Sequence, residues 1–206
     1  MYKVFFNQKP LILTNEIKVF SDNEPFIFIK YSNASQILKA LKSTKNNKVY
    51  LYHKNIDKLW KIFLKQFPVI EAAGGLVERS DNKLLFIFRN EKWDLPKGGV
   101  EKNELIIEAA KREVTEETGV ADLIVQNQLS ETYHIFKKGK SFRLKKTYWF
   151  KMSTNYMGQL HPQIEEGISK SEWISKVGIE DFLSDAFENI RIIVFEVLNR
   201  NSFGDK

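Results

Sequence analysis

The stretch from Glu101 to Gly119 constrains this chain more than any other part of it. It contains no proline and no internal glycine; Asn103 offers a cap at its start and Gly119 a left-handed stop at its end. Those signals predict roughly four turns of helix. On such a helix Glu113, Glu116 and Glu117 stand at i, i+3 and i+4, so three carboxylates share one face. Ile107 and Val114 are expected to point the other way, into a core, and Ala109 to leave open space above the carboxylates. Each pair of carboxylates at that separation repels by about 3–4 kcal/mol at intermediate dielectric. A solvated acidic face paired with Lys111 and Arg112 would dissipate that cost. So would a hard divalent cation, which takes oxygen ligands and, as Mg²⁺, brings in substrate phosphates as well.

The residues ahead of the helix favour the cation. Gly98, Glu104, Arg112, Glu113, Val114, Glu116, Glu117, Gly119 and Val120 follow the pattern Gly-x5-Glu-x7-Arg-Glu-U-x-Glu-Glu-x-Gly-U, with U a bulky aliphatic residue. This segment resembles the Nudix box and fills every fixed position at the required spacing. The resemblance implies an α/β fold, a Nudix α/β/α sandwich with a mixed sheet, and Mg²⁺-dependent hydrolysis of a diphosphate bond, with Mn²⁺ as an alternative metal. It also implies roles. Glu113, Glu116 and Glu117 would hold metal, with Glu104 reaching it indirectly or bracing the loop. Arg112 would orient a neighbouring glutamate, and Gly98 and Gly99 would let the loop pass close to the phosphates. The general base is open between Glu113 and an acid in the later loop, Glu165 or Glu166, with Glu166 preferred.

Two flanking features bear on substrate. Trp93-Asp94-Leu95-Pro96-Lys97-Gly98 is similar to the approach to the box in diadenosine polyphosphate and diphosphoinositol polyphosphate hydrolases, and makes Lys97 a candidate phosphate contact. Between Lys137 and Lys146 there are six cationic residues. Alternation places Arg143 and Lys145 on one strand face, as further phosphate-binding candidates. A small polyphosphate is therefore the favoured substrate. A ligand-sensing regulator and an RNA 5′-end pyrophosphohydrolase stay open beside it.

The remainder of the chain reads as two domains. Residues 1–67 suggest a small α+β unit: strands at 2–6, 10–13, 25–31 and 49–52, a helix after the caps at 32–35, and another capped by Asp57. From residue 68 to 206 strands at 69–77 and 83–88 lead to the box. Extended segments at 122–136 and 141–152, a strand near Trp173 and a helical tail at 180–200 follow it. The first unit's role, as cap, substrate selector or homodimer interface, is not legible. Absence of cysteine rules out disulfides and zinc–thiolate sites. No apolar run approaches a membrane span, and the N-terminus lacks the apolar core of a signal peptide, so a cytoplasmic location without membrane partners is expected. A net charge of +6 favours anionic ligands; nucleic acid is the less favoured of these, for want of a basic recognition helix.

Overall fold

The structure is a computed structural model that describes residues 1–17 and 21–201; the end of the second predicted domain, 202–206, lies outside the described residues. In chain order the strands and helices are β1 (Tyr2–Phe6), β2 (Lys9–Thr14), β3 (Phe26–Phe28), α1 (Ala34–Lys42), β4 (Val49–Tyr52) and α2 (Ile56–Gln66). Then come β5 (Val69–Arg79), β6 (Lys83–Arg89), β7 (Lys92–Asp94), β8 (Lys97–Gly99), α3 (Ile106–Thr118), β9 (Ile124–Gln128), β10 (Thr132–Lys138) and β11 (Ser141–Thr154). The last are β12 (Ile168–Ser175), α4 (Ile179–Leu183) and α5 (Glu188–Asn201). The chain divides into two compact units, residues 1–70 with 132–146, and residues 71–131 with 147–206.

In the first unit the strands run in the order β10-β1-β2-β4-β3. β1 pairs parallel with β10 and antiparallel with β2, and β4 pairs parallel with both β2 and β3. Alternation along each strand sends Val4, Phe6, Leu11, Leu13, Val49, Leu51, Ile135 and Leu144 into one core. That core is closed by Ile37, Leu38 and Leu41 of α1 and by Leu59 and Phe63 of α2, so both helices cover the same sheet face. A capping box starts α1: the Asn33 side chain accepts from the Gln36 N–H, and the Gln36 side chain accepts from the Asn33 N–H. For α2 the cap is Asn55, which accepts from the Lys58 N–H at 2.8 Å; Asp57, expected in that role, sits within the first turn instead. The strand expected over 25–31 is only β3, because the chain winds into a 3₁₀ turn at Ile29–Tyr31.

The second unit is the α/β/α sandwich. Its strands run β12-β6-β5-β11, with β7 on β6, β8 on β5 and β9 on β11. On one sheet face Leu76, Leu84, Phe86 and Trp149 pack with Ile179, Leu183, Ile190, Ile193, Val194 and Val197 of the C-terminal helices. On the other, Ala73, Val77, Leu85, Phe150 and Met152 pack with Ala109, Ala110 and Val114 of α3. Here several expectations need correction. The segment 122–136 is two strands, β9 and β10, and the helical tail is broken between α4 and α5. Ala109 is fully buried in the core rather than leaving space beside the carboxylates, and Ile107 is 37% exposed. The hairpin segment 132–146 belongs with the first unit, because β10 pairs with β1. Among the described residues no helix is long and apolar enough to cross a membrane.

Phe63 is wholly buried between Trp60, at 5.7 Å between ring centroids, and Phe67, at 5.0 Å. Phe63→Ala is expected to lower stability by about 3–5 kcal/mol through the lost transfer energy and the cavity left behind. Urea unfolding followed by circular dichroism measures it, and a loss below about 1 kcal/mol would contradict this packing.

Candidate functional site

The site is built where β8 meets α3. β8 pairs with β5 so that Ala72, Ala73 and Gly74 face Gly99, Gly98 and Lys97. A side chain at Gly74 would strike the Pro96 carbonyl, so glycine is what lets these strands close. At Gly98 a Cβ would run into the Glu113 carboxylate. The glycine thus leaves the space that the Glu113 carboxylate occupies. Nothing crowds a Cβ at Gly99, whose contribution is its carbonyl oxygen.

α3 begins later than expected. Asn103 takes a left-handed conformation with φ 67°, inside a turn closed by the Glu104 N–H on the Glu101 carbonyl. The helix starts after Leu105, without a side-chain cap. Its end is as expected: Gly119, with φ 76°, stops it in the left-handed region.

One guanidinium organises the acids. Arg112 donates Nε–H and Nη2–H to the two Glu104 oxygens at 2.8 and 3.0 Å, and Nη2–H also to the Gly99 carbonyl at 2.9 Å. Its Nη1 reaches Glu113 Oε1 at 2.7 Å and Glu116 Oε2 at 2.9 Å. Glu104 also accepts the Glu101 N–H at 2.8 Å, and these bonds hold its carboxyl down at about 2. With both oxygens engaged, Glu104 acts as a brace of the loop. The Glu113 carboxyl is pushed up, chiefly by burial, against the pull of Arg112; the charges of Glu116 and Glu166 push the same way as burial.

Glu117 is different. Its side chain is fully buried, one oxygen accepts the Lys97 N–H at 2.9 Å, and the other has no hydrogen-bond partner. Arg89 lies 3.5 Å from that second oxygen. Burial pushes the carboxyl up to about 7, although Lys97 and Arg89 pull it down. The Lys97 ammonium is itself committed, to Asp94 and to the Leu95 carbonyl, and Asp94 is buried with its other oxygen on the Leu95 N–H. Arg89 and Asp94 escaped sequence reasoning. Asp94 lies inside the quoted Trp93–Gly98 motif, whereas Arg89, at the end of an apolar strand, carries no local signal.

The later loop is strapped to the end of α3. The His161 N–H donates to the Thr118 carbonyl at 2.8 Å, and the Gln163 N–H to the Glu117 carbonyl at 3.2 Å. A 3₁₀ turn then carries Glu165 and Glu166, both exposed, and Gly167 ends it at φ 76°. Arg143 and Lys145 fall in the other compact unit, where the Lys145 ammonium sits over the Phe136 ring at 5.2 Å.

Among the described residues, no three Asp, Glu or His side chains converge as they stand into a metal-holding group. Glu113 and Glu116 share Arg112, while Glu117 turns toward Lys97. The donor set nonetheless fits a hard divalent ion: all donors are carboxylate oxygens, and Glu117 keeps a buried oxygen that accepts no hydrogen bond.

The comparisons agree with this architecture. A family model described as NUDIX domain matches residues 69–191. An RNA pyrophosphohydrolase of Pelagibacter ubique is 31% identical over 157 residues, covering 64% of this chain and 95% of that protein. An RNA pyrophosphohydrolase of Sphingopyxis alaskensis is 29% identical over 108 residues, covering 46% of this chain and 67% of that protein. The crystal structure of the MutT protein from Methanosarcina mazei Go1 is similar in fold, with a TM-score of 0.50 at 22% identity, over 67% of this chain and 98% of that one.

A carboxyl raised in the folded state from 4.5 to about 7 keeps a proton that the unfolded chain has lost. Without metal, stability is therefore full below pH 4.5 and falls as pH rises to about 7, by about 3 kcal/mol in all. Glu117→Gln removes that loss. In EDTA the variant is expected to match wild type near pH 4.5 and to exceed it at pH 8. Parallel thermal melts at the two pH values would contradict the burial penalty if the difference did not grow with pH.

Proposed function

Because the chain belongs to the Nudix family and is a hydrolase of pyrophosphate bonds, we propose that its substrate is the 5′-polyphosphate end of RNA, attacked with the help of Mg²⁺ or Mn²⁺. The observation that carries the metal-assisted chemistry is the buried Glu117 oxygen that has no hydrogen-bond partner, only the Arg89 charge at 3.5 Å, one helical turn from Glu113 and adjacent to Glu116. The substrate rests on the 31% identity that runs through 95% of an RNA pyrophosphohydrolase. A dinucleoside or inositol polyphosphate is the second reading. It leans on the Trp93–Gly98 motif, but Lys97, its phosphate contact, has its ammonium held by Asp94.

Glu113, Glu116 and Glu117 are the residues that would hold the metal, whose chemistry is to polarise phosphoryl oxygens and make water acidic enough to attack. The protein's own groups do the rest. Arg112 fixes the Glu113 and Glu116 carboxylates against the β8 loop, which limits the reorganisation needed when phosphate arrives. Gly98 leaves the volume that Glu113 fills. Glu104, tied to Arg112 and to the Glu101 N–H, keeps the guanidinium in register. Glu166 is the general base in this reading: it is exposed, its charge is felt by Glu113, and its loop is bonded to the helix end that carries Glu117. It would accept the proton of the attacking water as the bridging P–O bond breaks.

The test is a mass-spectrometric product screen with Mg²⁺ or Mn²⁺. The compounds are 5′-triphosphorylated RNA, diadenosine polyphosphates, ADP-ribose, nucleoside triphosphates and diphosphoinositol polyphosphates. Triphosphorylated RNA is expected to turn over best, and Glu117→Gln to abolish turnover. A diadenosine or inositol polyphosphate as best substrate would move the assignment to the second reading. Binding without turnover of any compound would make the protein a sensor. Glu166→Gln is expected to lower kcat by roughly 10²- to 10⁴-fold; an unchanged kcat would return the base role to Glu113.

A further inference from the structure

Charge is divided unevenly between the two compact units. Residues 1–70 and 132–146 hold 18 of the 32 Lys and Arg but 4 of the 26 Asp and Glu, a net of +14. The remaining residues hold 14 bases and 22 acids, a net of −8. The overall +6 conceals this contrast. The metal-binding half is acidic, and the half without an assigned role is strongly basic.

The basic unit also has an unusual sheet surface. Its helices α1 and α2 both lie on the face that carries Leu11, Leu13, Val49 and Leu51. Side chains of intervening residues point to the opposite face, and strand partners share it. Tyr50 and Tyr52 of β4 stand beside Phe26 and Phe28 of the edge strand β3. Phe26, Phe28 and Tyr52 form one aromatic cluster, with centroids 5.1–5.4 Å apart. Phe28 is 47% exposed, and Phe26, Tyr50 and Tyr52 are half-buried. Cations lie over rings of that same face: Lys48 over Tyr50 at 5.9 Å, Lys3 over Phe5 at 5.0 Å, and Lys145 over Phe136 at 5.2 Å. Toward the centre Phe5 is buried, so the exposed rings are concentrated at the β3–β4 edge.

We propose that this face binds single-stranded RNA, with bases stacking on Phe28 and Tyr52 and the phosphates running along Lys3, Lys48, Arg143 and Lys145. Two kinds of residue make the surface suited to that partner. Exposed aromatic rings on a rigid sheet stack on any base, and interleaved cations neutralise a backbone that carries one charge per nucleotide. Double-stranded RNA keeps its bases stacked within the helix and offers none to those rings. The competing surface on this unit is Lys58, Lys61 and Lys65, solvent-exposed along α2 with Lys54 just ahead of it, which fits non-specific attraction of phosphate alone. The proposal deepens the RNA-end reading and rests on it for its biological sense, since it gives the body of the substrate a seat.

The experiment uses the full chain and a fluorescent single-stranded RNA ending in a 5′-hydroxyl, which offers nothing to hydrolyse, so that binding is read apart from catalysis. Fluorescence anisotropy is expected to show salt-sensitive binding that is weaker for the matching duplex. Phe28→Ala and Tyr52→Ala should each weaken it roughly tenfold, while hydrolysis of a triphosphorylated dinucleotide is unchanged and circular dichroism confirms the fold. Lys58→Glu with Lys61→Glu should change binding less than either ring variant. Equal affinity for duplex and single strand, or a larger loss from the α2 variant, would overturn the proposal. Binding of the hydroxyl RNA without hydrolysis of any triphosphorylated RNA would remove the RNA-end activity and leave this surface standing. Hydrolysis without any binding of the hydroxyl RNA would do the reverse.

Discussion

The catalytic half of this protein depends on one guanidinium. Arg112 spends its N–H groups on Glu104, Glu113, Glu116 and the Gly99 carbonyl. Three carboxylates and a loop that would otherwise repel or drift are thereby tied to one planar fork. A lysine could not replace it, because a point charge on a flexible stem cannot bridge four partners in fixed directions. The arrangement also explains why the box needs glycine at 98. The carboxylate that Arg112 directs lies where a side chain would be, so backbone, arginine and glutamate fix each other's positions.

Much of this was legible in the sequence, and the exceptions have physical reasons. The carboxylate face of α3 and its left-handed stop at Gly119 follow from spacing and from the one residue that tolerates positive φ without cost. The start of the same helix did not follow. Asn103 is a good cap in isolation, but Glu104 is pulled out of the helix by Arg112 and by the Glu101 N–H, and Asn103 is left in the turn that results. The Lys97–Glu117 and Arg89–Glu117 contacts join residues 20 and 28 positions apart, and nothing local announces them. Nor does the Trp93–Gly98 motif announce that the Lys97 ammonium is held by Asp94. Likewise the hairpin at 132–146 belongs with the first unit through the parallel pairing of β1 with β10, a contact between distant parts of the chain.

The overall charge of +6 is a poor guide to a molecule whose halves differ so much in sign. An acidic half suits the capture of cations, and a basic half suits the capture of polyanions; averaging the two hides both. The same holds for hydrophobicity. The aromatic residues of this chain are not all core. Trp149 and Phe86 fill the sandwich, whereas Phe28 is half in water at a sheet edge.

With Glu117 as a metal ligand, as proposed, the burial of its carboxyl would make metal loading a trade with solvent protons. Burial pushes this carboxyl up to about 7, so it keeps its proton well above the usual carboxylate range. A cation that takes its free oxygen must evict that proton, and the released proton goes to buffer. Loading is thus an exchange, and acidity shifts it backward. In the proposed reading a fall in pH opposes loading by keeping the Glu117 carboxyl protonated. The same depth that keeps water from Glu117 therefore sets its hold on a proton against any hold on a cation.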